Sequence, residues 1–264
     1  MKKLLVAGAA LLALMAGTAH AADFPITPAY GGPIIVPAYQ WSGFYLGANA
    51  GGHFGRDRMT TSSVGGFEFL PSEVAAIDAV SPTTLNPKGF IGGLQGGYNW
   101  QFNQILVGFE VDADWMTGTA SRTLLNLPTL FPGESMFNST NPTFLFTARP
   151  RVGWVWDRTL LYVTAGYAMG NVRFNDAITA SGVAGPFTIG SITTAHMSGW
   201  TAGLGFEYGL SEAWTVKAEY LYVDLGSATN SVAFSAVDIF TFNHKYTDNV
   251  ARVGLNYKFG WGWW

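Results

Sequence analysis

Three carboxylates occur at alternate positions in this chain, Glu110, Asp112 and Asp114. Residues two apart point to the same face of a β-strand, whereas helical spacing would scatter them around the axis. Two arginines, Arg149 and Arg151, have the same spacing further along the chain. Charged groups arranged in this way can form ion pairs, line a charged constriction or transfer protons. The choice among these depends on the elements that carry them.

His196 and Ser198 form a second pair with chemical potential. An imidazole beside a hydroxyl on one strand face could activate it for lipid deacylation, provided that an acid orients the histidine. The neighbouring predicted strand offers no acid on that face, so we expect no catalytic residues and no enzyme. His53, His196 and His244 lie near predicted strand ends. We interpret them as solvated residues and expect neither a metal site nor a cofactor such as haem.

Composition narrows the class of protein. The 264 residues are 48% hydrophobic, 15% aromatic and 12% charged, with 33 Gly and no Cys. A soluble domain carries about 25% charged residues, which argues against a cytosolic enzyme. The lack of Cys excludes a disulfide framework. A net charge of −3 lacks the excess of positive charge that is typical of nucleic-acid-binding proteins. No apolar run of helix-spanning length follows residue 21. Such a chain is typical of a transmembrane β-barrel.

The first 21 residues have the features of a secretory signal peptide. Lys2 and Lys3 precede an apolar run, and small residues lead to a predicted cleavage between Ala21 and Ala22. Removing two of the fourteen cations leaves twelve against seventeen acids, a net charge of −5. The predicted order is a signal peptide (1–21), a Pro-rich periplasmic tail (22–40), a barrel (41–259) and an aromatic C-terminal extension (260–264). We expect no cell-wall-binding domain.

Alternation of apolar and polar residues predicts eight antiparallel strands in an up-and-down transmembrane barrel. Pro150, inside the fourth strand, predicts a bulge or a locally irregular pair. Apolar residues further along the chain, around 232–242, could extend the barrel above the membrane, and a count of ten strands stays open. The predicted strands are Trp41–Gly52, Phe90–Phe102, Ile105–Trp115, Thr143–Trp156, Thr159–Asn171, His196–Tyr208, Trp214–Asp224 and Asn249–Phe259.

Short and long connections alternate between these strands. Asn103–Gln104, Asp157–Arg158 and Gly209–Glu212 are short, whereas 53–88, 117–142, 172–195 and 225–248 are long. Outer-membrane barrels have short periplasmic turns and long extracellular loops. We therefore expect both termini in the periplasm and four loops outside.

The lumen-facing positions collect charges of both signs at similar heights, about 13–18 Å up the wall. An eight-stranded barrel is just wide enough for side chains to fill it, and buried charges persist only when paired. We predict an ion-paired plug, with a gate or selectivity filter as the alternative. The predicted cluster is Glu110, Asp112, Asp114, Arg149, Arg151, Glu207, Lys217, Glu219 and Arg252, with Lys258 as a fifth base.

Three segments resemble the small Gram-negative outer-membrane β-barrel proteins of the "porin family". They are Trp41–Gly52, Gly89–Trp100 and Lys217–Tyr222. The resemblance covers essentially the whole mature chain and implies an abundant envelope protein of the cell outer membrane, with structural and surface roles. The family label does not establish diffusion, and no segment localises a ligand.

The C-terminal pattern Arg252-x-Gly254-x-x-Tyr257-x-Phe259 resembles the signal read by the barrel-assembly machinery. The chain continues for five residues, so either Phe259 or Trp264 ends that signal. The resemblance implies as partners the assembly machinery, periplasmic chaperones, outer-membrane lipid and lipopolysaccharide, and leaves the oligomeric state open. We expect a structural and surface protein that contributes to envelope integrity. A narrow channel for small solutes is the alternative, and a lipid-modifying enzyme comes third.

Overall fold

The computed structural model describes residues 39–66, 70–127, 133–182, 185–233, 235 and 238–259. The predicted signal peptide, its cleavage site, nearly all of the tail and the C-terminal residues 260–264 lie outside the described residues. Within the described part, no helix is long and apolar enough to cross a membrane. The elements are β1 (Gly43–Val64), α1 (Pro71–Val80), β2 (Thr83–Leu85), β3 (Lys88–Phe102), β4 (Ile105–Met116), β5 (Ala120–Leu125), β6 (Ser135–Trp156), β7 (Thr159–Gly182), β8 (Gly185–Gly209), β9 (Trp214–Ala233) and β10 (Ile239–Lys258).

Eight strands close into a ring in which every pairing is antiparallel. The order is β1, β3, β4, β6, β7, β8, β9 and β10, and β10 pairs with β1 from Tyr45↔Lys258 to Val64↔Ile239. The short strands β2 and β5 pair with β1 and β6 outside this ring. The predicted eight-stranded antiparallel barrel is therefore confirmed, and the ten-strand alternative is not.

Alternation along each strand gives the barrel an apolar outer band. On β1, Phe44 and Leu46 are exposed, whereas Tyr45 and Asn49 are buried. Because successive side chains point alternately to the outer wall and to the lumen, this period of two fixes the face of each residue. Large apolar side chains remain exposed around the wall, and aromatic ones border the band above and below, including Trp100, Trp115, Trp154, Trp200, Trp214 and Tyr257.

The strands continue well beyond the predicted ends on the side of the long connections. Residues 172–182 and 185–195, expected to form a loop, pair as the upper halves of β7 and β8, and 239–248 pairs with both β9 and β1. The prediction of four long loops was wrong to this extent. The barrel wall itself rises above the apolar band, and we call this part the extension.

Pro150 does not produce a bulge. The ladder between β6 and β7 is interrupted at Arg149 and Pro150 and resumes at Arg151 in the same register, which is the locally irregular pair that proline implies. The register shift on β6 lies higher, between Pro142 and Phe144.

Both ends of the lumen are filled by apolar groups. At the end with short turns, Tyr39 and Trp41 pack edge to face with ring centroids 5.1 Å apart, and the Trp41 indole donates to the carbonyl of Asp157 at 3.1 Å. Tyr39 thus packs with the barrel, although the sequence assigned it to the tail. At the other end, Val74 and Ile77 of α1 lie in an apolar cluster inside the extension.

Candidate functional site

The nine side chains predicted to line the lumen form one connected layer of ion pairs, here called the charge layer. Each is at most 5% exposed. Arg149 contacts Glu110 at 2.8 Å and Asp112 at 2.7 Å, and Lys217 contacts Glu110 at 2.8 Å. Arg151 contacts Glu207 at 3.2 Å. Paired charges of this kind satisfy one another where water is excluded.

Many of these contacts cross the lumen. Arg252 on β10 lies 2.9 Å from Asp112 and 2.6 Å from Asp114, both on β4, and 2.7 Å from Glu219 on β9. Arg149 on β6 reaches Glu219 at 3.2 Å. β10 and β4 are not neighbours in the wall, and neither are β6 and β9, so their ion pairs cross the lumen, whereas Arg252 and Glu219 lie on adjacent strands.

Uncharged side chains that the sequence did not single out complete the layer. Tyr45 and Tyr162 donate to Glu110 and Glu219, each at 2.8 Å, and Asn99 accepts from Arg151 at 2.7 Å. With these groups, every strand of the ring contributes to the charge layer. Their inward positions follow from the period of two, but their partners depend on the stagger of strands around the ring.

Glycine makes room for the large inward groups. A Cβ on Gly97 would lie 2.4 Å from the Tyr45 hydroxyl and 2.4 Å from the carbonyl oxygen of Phe109. The lumen side of β3 therefore has space for the Tyr45 ring only because residue 97 lacks a side chain.

Lys258 lies apart from the charge layer. Its ammonium group is 4.0 Å from the centroid of the Tyr39 ring and 5.7 Å from that of Trp41, and it donates to the carbonyl of Gln40. The predicted balance of five acids and five bases was wrong in this respect, because the last residue of β10 is already at the mouth. Lys258 instead holds the segment that fills that mouth.

Two of the three histidines are buried, which contradicts their interpretation as solvated residues. His53 contacts Asp248 at 2.9 Å, and His244 lies between Asp57 at 2.8 Å and Asp176 at 3.2 Å. These histidines sit inside the wall because the strands continue upward past the expected ends. No group of ligands suited to a metal ion occurs among the described residues.

His244 belongs to the extension, outside the membrane-spanning part. Burial alone would lower the pKa of its imidazole. Hydrogen bonds to Asp176 and Asp57, together with their negative charges, outweigh burial and raise the pKa from 6.5 to about 9. The ring also stacks on Phe174 at 4.0 Å between centroids. At neutral pH, a cationic histidine therefore joins two carboxylates from β1 and β7.

His196 and Ser198 both face outward and are exposed, as their spacing predicts. The Nδ1 atom of His196 lies 2.7 Å from the side-chain oxygen of Asn171, which is an amide and not an acid. This pair therefore lacks, within the described part of the chain, the carboxylate that a nucleophile and base would need.

The four residues of the predicted assembly signal lie on β10 and directly after it. Arg252 and Gly254 face the lumen, and Tyr257 and Phe259 face outward. The ring of Phe259 packs against Phe44 on β1, with centroids 5.6 Å apart, at the seam where the ring closes.

A closed antiparallel ring with an apolar exterior and a buried polar interior is the architecture of an outer-membrane β-barrel. Residues 9–259 match the family described as "Outer membrane protein beta-barrel domain". The chain belongs to this family.

The names of similar proteins also point to the outer membrane. The chain is 34% identical over 258 residues to the 31 kDa outer-membrane immunogenic protein of Brucella melitensis, covering 95% of this chain and 98% of the relative. It is 28% identical over 264 residues to the 25 kDa outer-membrane immunogenic protein of Brucella abortus, covering 98% and 99%. These names describe outer-membrane proteins and not enzymes.

Among solved structures, the outer membrane protein OprG from Pseudomonas aeruginosa has a similar fold. The TM-score is 0.50 at 14% identity, and the match covers 83% of this chain and 96% of OprG. At this identity the likeness concerns the fold alone.

Proposed function

We propose that this protein is a sealed barrel with a structural and surface role in the outer membrane, and that its lumen does not conduct. The observation that carries the proposal is the charge layer, in which nine charged side chains, each at most 5% exposed, bind one another across the lumen. An ion crossing this layer would have to break several buried ion pairs. Removing one partner of such a pair costs about 3–5 kcal/mol.

Three apolar clusters support the same proposal. One lies at the mouth with short turns, one above the charge layer, and one under α1. Their central members are, respectively, Tyr39, Trp41 and Leu160; Phe174, Leu221 and Val250; and Met59, Ile77 and Phe242. Apolar side chains at native packing density leave little space for a continuous file of water.

Single-channel conductance of the refolded mature chain in a planar bilayer tests the proposal. We expect no regular current steps, while a heat-dependent shift in gel mobility shows that the barrel has folded. Arg149→Ala, which opens the charge layer, provides the comparison, and Arg158→Ala at the turn after β6 is its control.

Regular steps in the unmodified protein that change with Arg149→Ala and not with Arg158→Ala would overturn the proposal. They would make the charge layer the constriction of a narrow channel for small solutes. The absence of current steps, together with a gel shift that shows a folded barrel, supports the proposal of a sealed lumen.

We also propose that both termini face the periplasm and that the extension faces the outside of the cell. Both ends of the described barrel, Tyr39 and Phe259, lie at the end with the short turns. Since the chain has no Cys, a single introduced cysteine reports its side of the membrane. In intact cells, an impermeant maleimide should label Thr84→Cys in the extension and not Gln104→Cys in the turn after β3. The reverse labelling would contradict this orientation.

Biogenesis through the barrel-assembly machinery and periplasmic chaperones belongs to the same proposal, with outer-membrane lipid and lipopolysaccharide as the surroundings. The relatives named as immunogenic proteins support surface presentation of the extension. The exposed Phe259 at the seam supports a role as the end of the assembly signal. Phe259→Ala should reduce the yield of folded barrel in cells more than removal of residues 260–264. The opposite ranking would assign that end to Trp264.

A further inference from the structure

Four exposed cations lie together on the outer wall of the extension. Arg58 on β1 pairs directly with Lys245 on β10, Arg56 is two residues from Arg58 on the same face, and Lys88 pairs with Phe54. Paired positions place their Cβ atoms about 5 Å apart, and residues two apart along a strand are about 7 Å apart. We call these four residues the basic patch.

Among the residues that the structure describes, no acid balances the basic patch. Within the described part of the chain, none of its four members has a carboxylate within ion-pair distance. The acids of the same strands, Asp57 and Asp248, point inward and bind His244 and His53. On β9 the outward Asp224 accepts from the amide of Gly226 and is separated from Arg56 by Thr247.

The height of the basic patch matches the edge of the apolar band. Phe54, the residue that pairs with Lys88, is 53% exposed, and Phe90 beside it is 56% exposed. These are the last large apolar residues on the outer face of β1 and β3 before the cations begin. Long cationic side chains at this level reach the headgroup region of the surrounding leaflet.

Like charges directly opposite one another on paired strands destabilise a sheet. Arg58 and Lys245 are such a pair, in a chain whose net charge is negative. An anion bound between the two side chains would remove this repulsion. The pair lies at the edge of the apolar band, and this position indicates which anions can reach it.

We propose that the basic patch binds the phosphate groups of phosphorylated glycolipid in the surrounding outer leaflet. This inference rests on the proposed orientation, because only that orientation brings the patch to the outer leaflet. The arginines can hold phosphate oxygens by two parallel hydrogen bonds each, and the lysines add point charges. The exposed rings of Phe54 and Phe90 would contact the first segments of the acyl chains.

Binding of bisphosphorylated lipid A to the refolded barrel in detergent tests the inference. A basic residue at an anionic lipid surface contributes about 1 kcal/mol, which is about fivefold in affinity. We therefore expect Arg58→Gln and Lys245→Gln to weaken binding about fivefold each, and the double variant about 25-fold. Arg173→Gln is the matched control, since Arg173 is exposed on the extension but pairs with Asn141 and Thr194 instead of a cation.

Stability without lipid separates binding from a structural role. Because Arg58 and Lys245 repel each other, neither substitution should lower the resistance of the lipid-free barrel to urea. Dephosphorylated lipid A should bind the unmodified protein and the double variant equally.

Several outcomes would overturn the inference. They are an equal loss of affinity for lipid A in Arg173→Gln, an unchanged affinity in the double variant, or complete displacement of lipid A by inorganic phosphate at the same concentration as the lipid. Preferential binding of a sulfated polysaccharide over lipid A would overturn it in favour of a soluble polyanion. The assay in detergent does not depend on orientation, so its failure is distinguishable from a failure of cysteine labelling.

Discussion

The guanidinium of Arg252 on β10 lies 2.6 Å from the carboxylate of Asp114 on β4, although β1 and β3 separate these strands in the wall. The same guanidinium contacts Asp112 and Glu219. One residue thus joins two acids of β4 across the lumen to Glu219 on the neighbouring strand β9.

Arg252→Gln should destabilise the barrel by about 3–5 kcal/mol, because it leaves the buried carboxylate of Asp114 without its cation and removes one of the cations that face Asp112 and Glu219. Urea unfolding of the refolded protein in detergent measures this loss. Arg158→Gln is the control, since the pair between Arg158 and Glu212 is exposed at the turn, and its loss should cost under about 1 kcal/mol. Equal effects of the two substitutions would contradict the importance of the charge layer for stability.

Two adjacent glycines on β1 should differ sharply in their tolerance of a methyl group. A Cβ on Gly51 would lie 2.1 Å from the carbonyl oxygen of Ala251 and 2.6 Å from the Cα of Arg252, whereas one on Gly52 meets nothing closer than 3.7 Å. Gly51→Ala should therefore cost about 1–3 kcal/mol by forcing β1 and β10 apart, and Gly52→Ala should be close to neutral. Unfolding midpoints of the two variants check this, and a neutral Gly51→Ala would show that the seam can widen.

The extension should lose stability at alkaline pH. The pKa of His244 is raised to about 9 in the folded protein, so its contribution is complete below pH 6.5 and is lost as pH rises through 9. A rise from 6.5 to about 9 corresponds to about 3 kcal/mol.

Hydrogen exchange of residues 239–248 at pH 6 and pH 9.5, corrected for the intrinsic rate, measures this effect. His244→Gln should remove the pH dependence, while His196→Gln, at an exposed histidine of β8 next to the extension, should preserve it. A pH dependence unchanged in His244→Gln would assign it to another group.

Helix α1 should be held mainly by Ile77. This side chain is fully buried against the extension, whereas Val80 is 46% exposed. Ile77→Ala should weaken local protection of α1 by about 2–4 kcal/mol, and Val80→Ala by much less. Hydrogen exchange of α1 amides is the readout. Neither variant should conduct, because the charge layer lies beneath the helix.

The sequence was sufficient for the membrane-spanning strands because a period of two is a local property. Phe44 and Leu46 outside, with Tyr45 inside, follow from composition and spacing without knowledge of any partner strand. The charge layer was accessible for the same reason, since counting residues from each short turn gives approximate height.

Residues around 232–242 were expected as an extension of the barrel, but the rest of the extension was missed because its pattern is reversed. Above the lipid, Phe240 and Phe242 point inward and Thr241 points outward, so a search for outward apolar residues ends too early. The association of His244 with Asp57 and Asp176 depends on the register of three strands that are distant in sequence. That register is set by ring closure and not by any local signal.

The cross-lumen ion pairs also bear on the order of assembly. Asp114 is made early in the chain, whereas Arg252, which forms its ion pair, lies on the last strand. A ring that lacks β10 would hold uncompensated negative charge in its interior. The strand that completes the wall therefore also brings the cation that pairs with Asp114, so a finished barrel differs from an incomplete one in the charge of its interior.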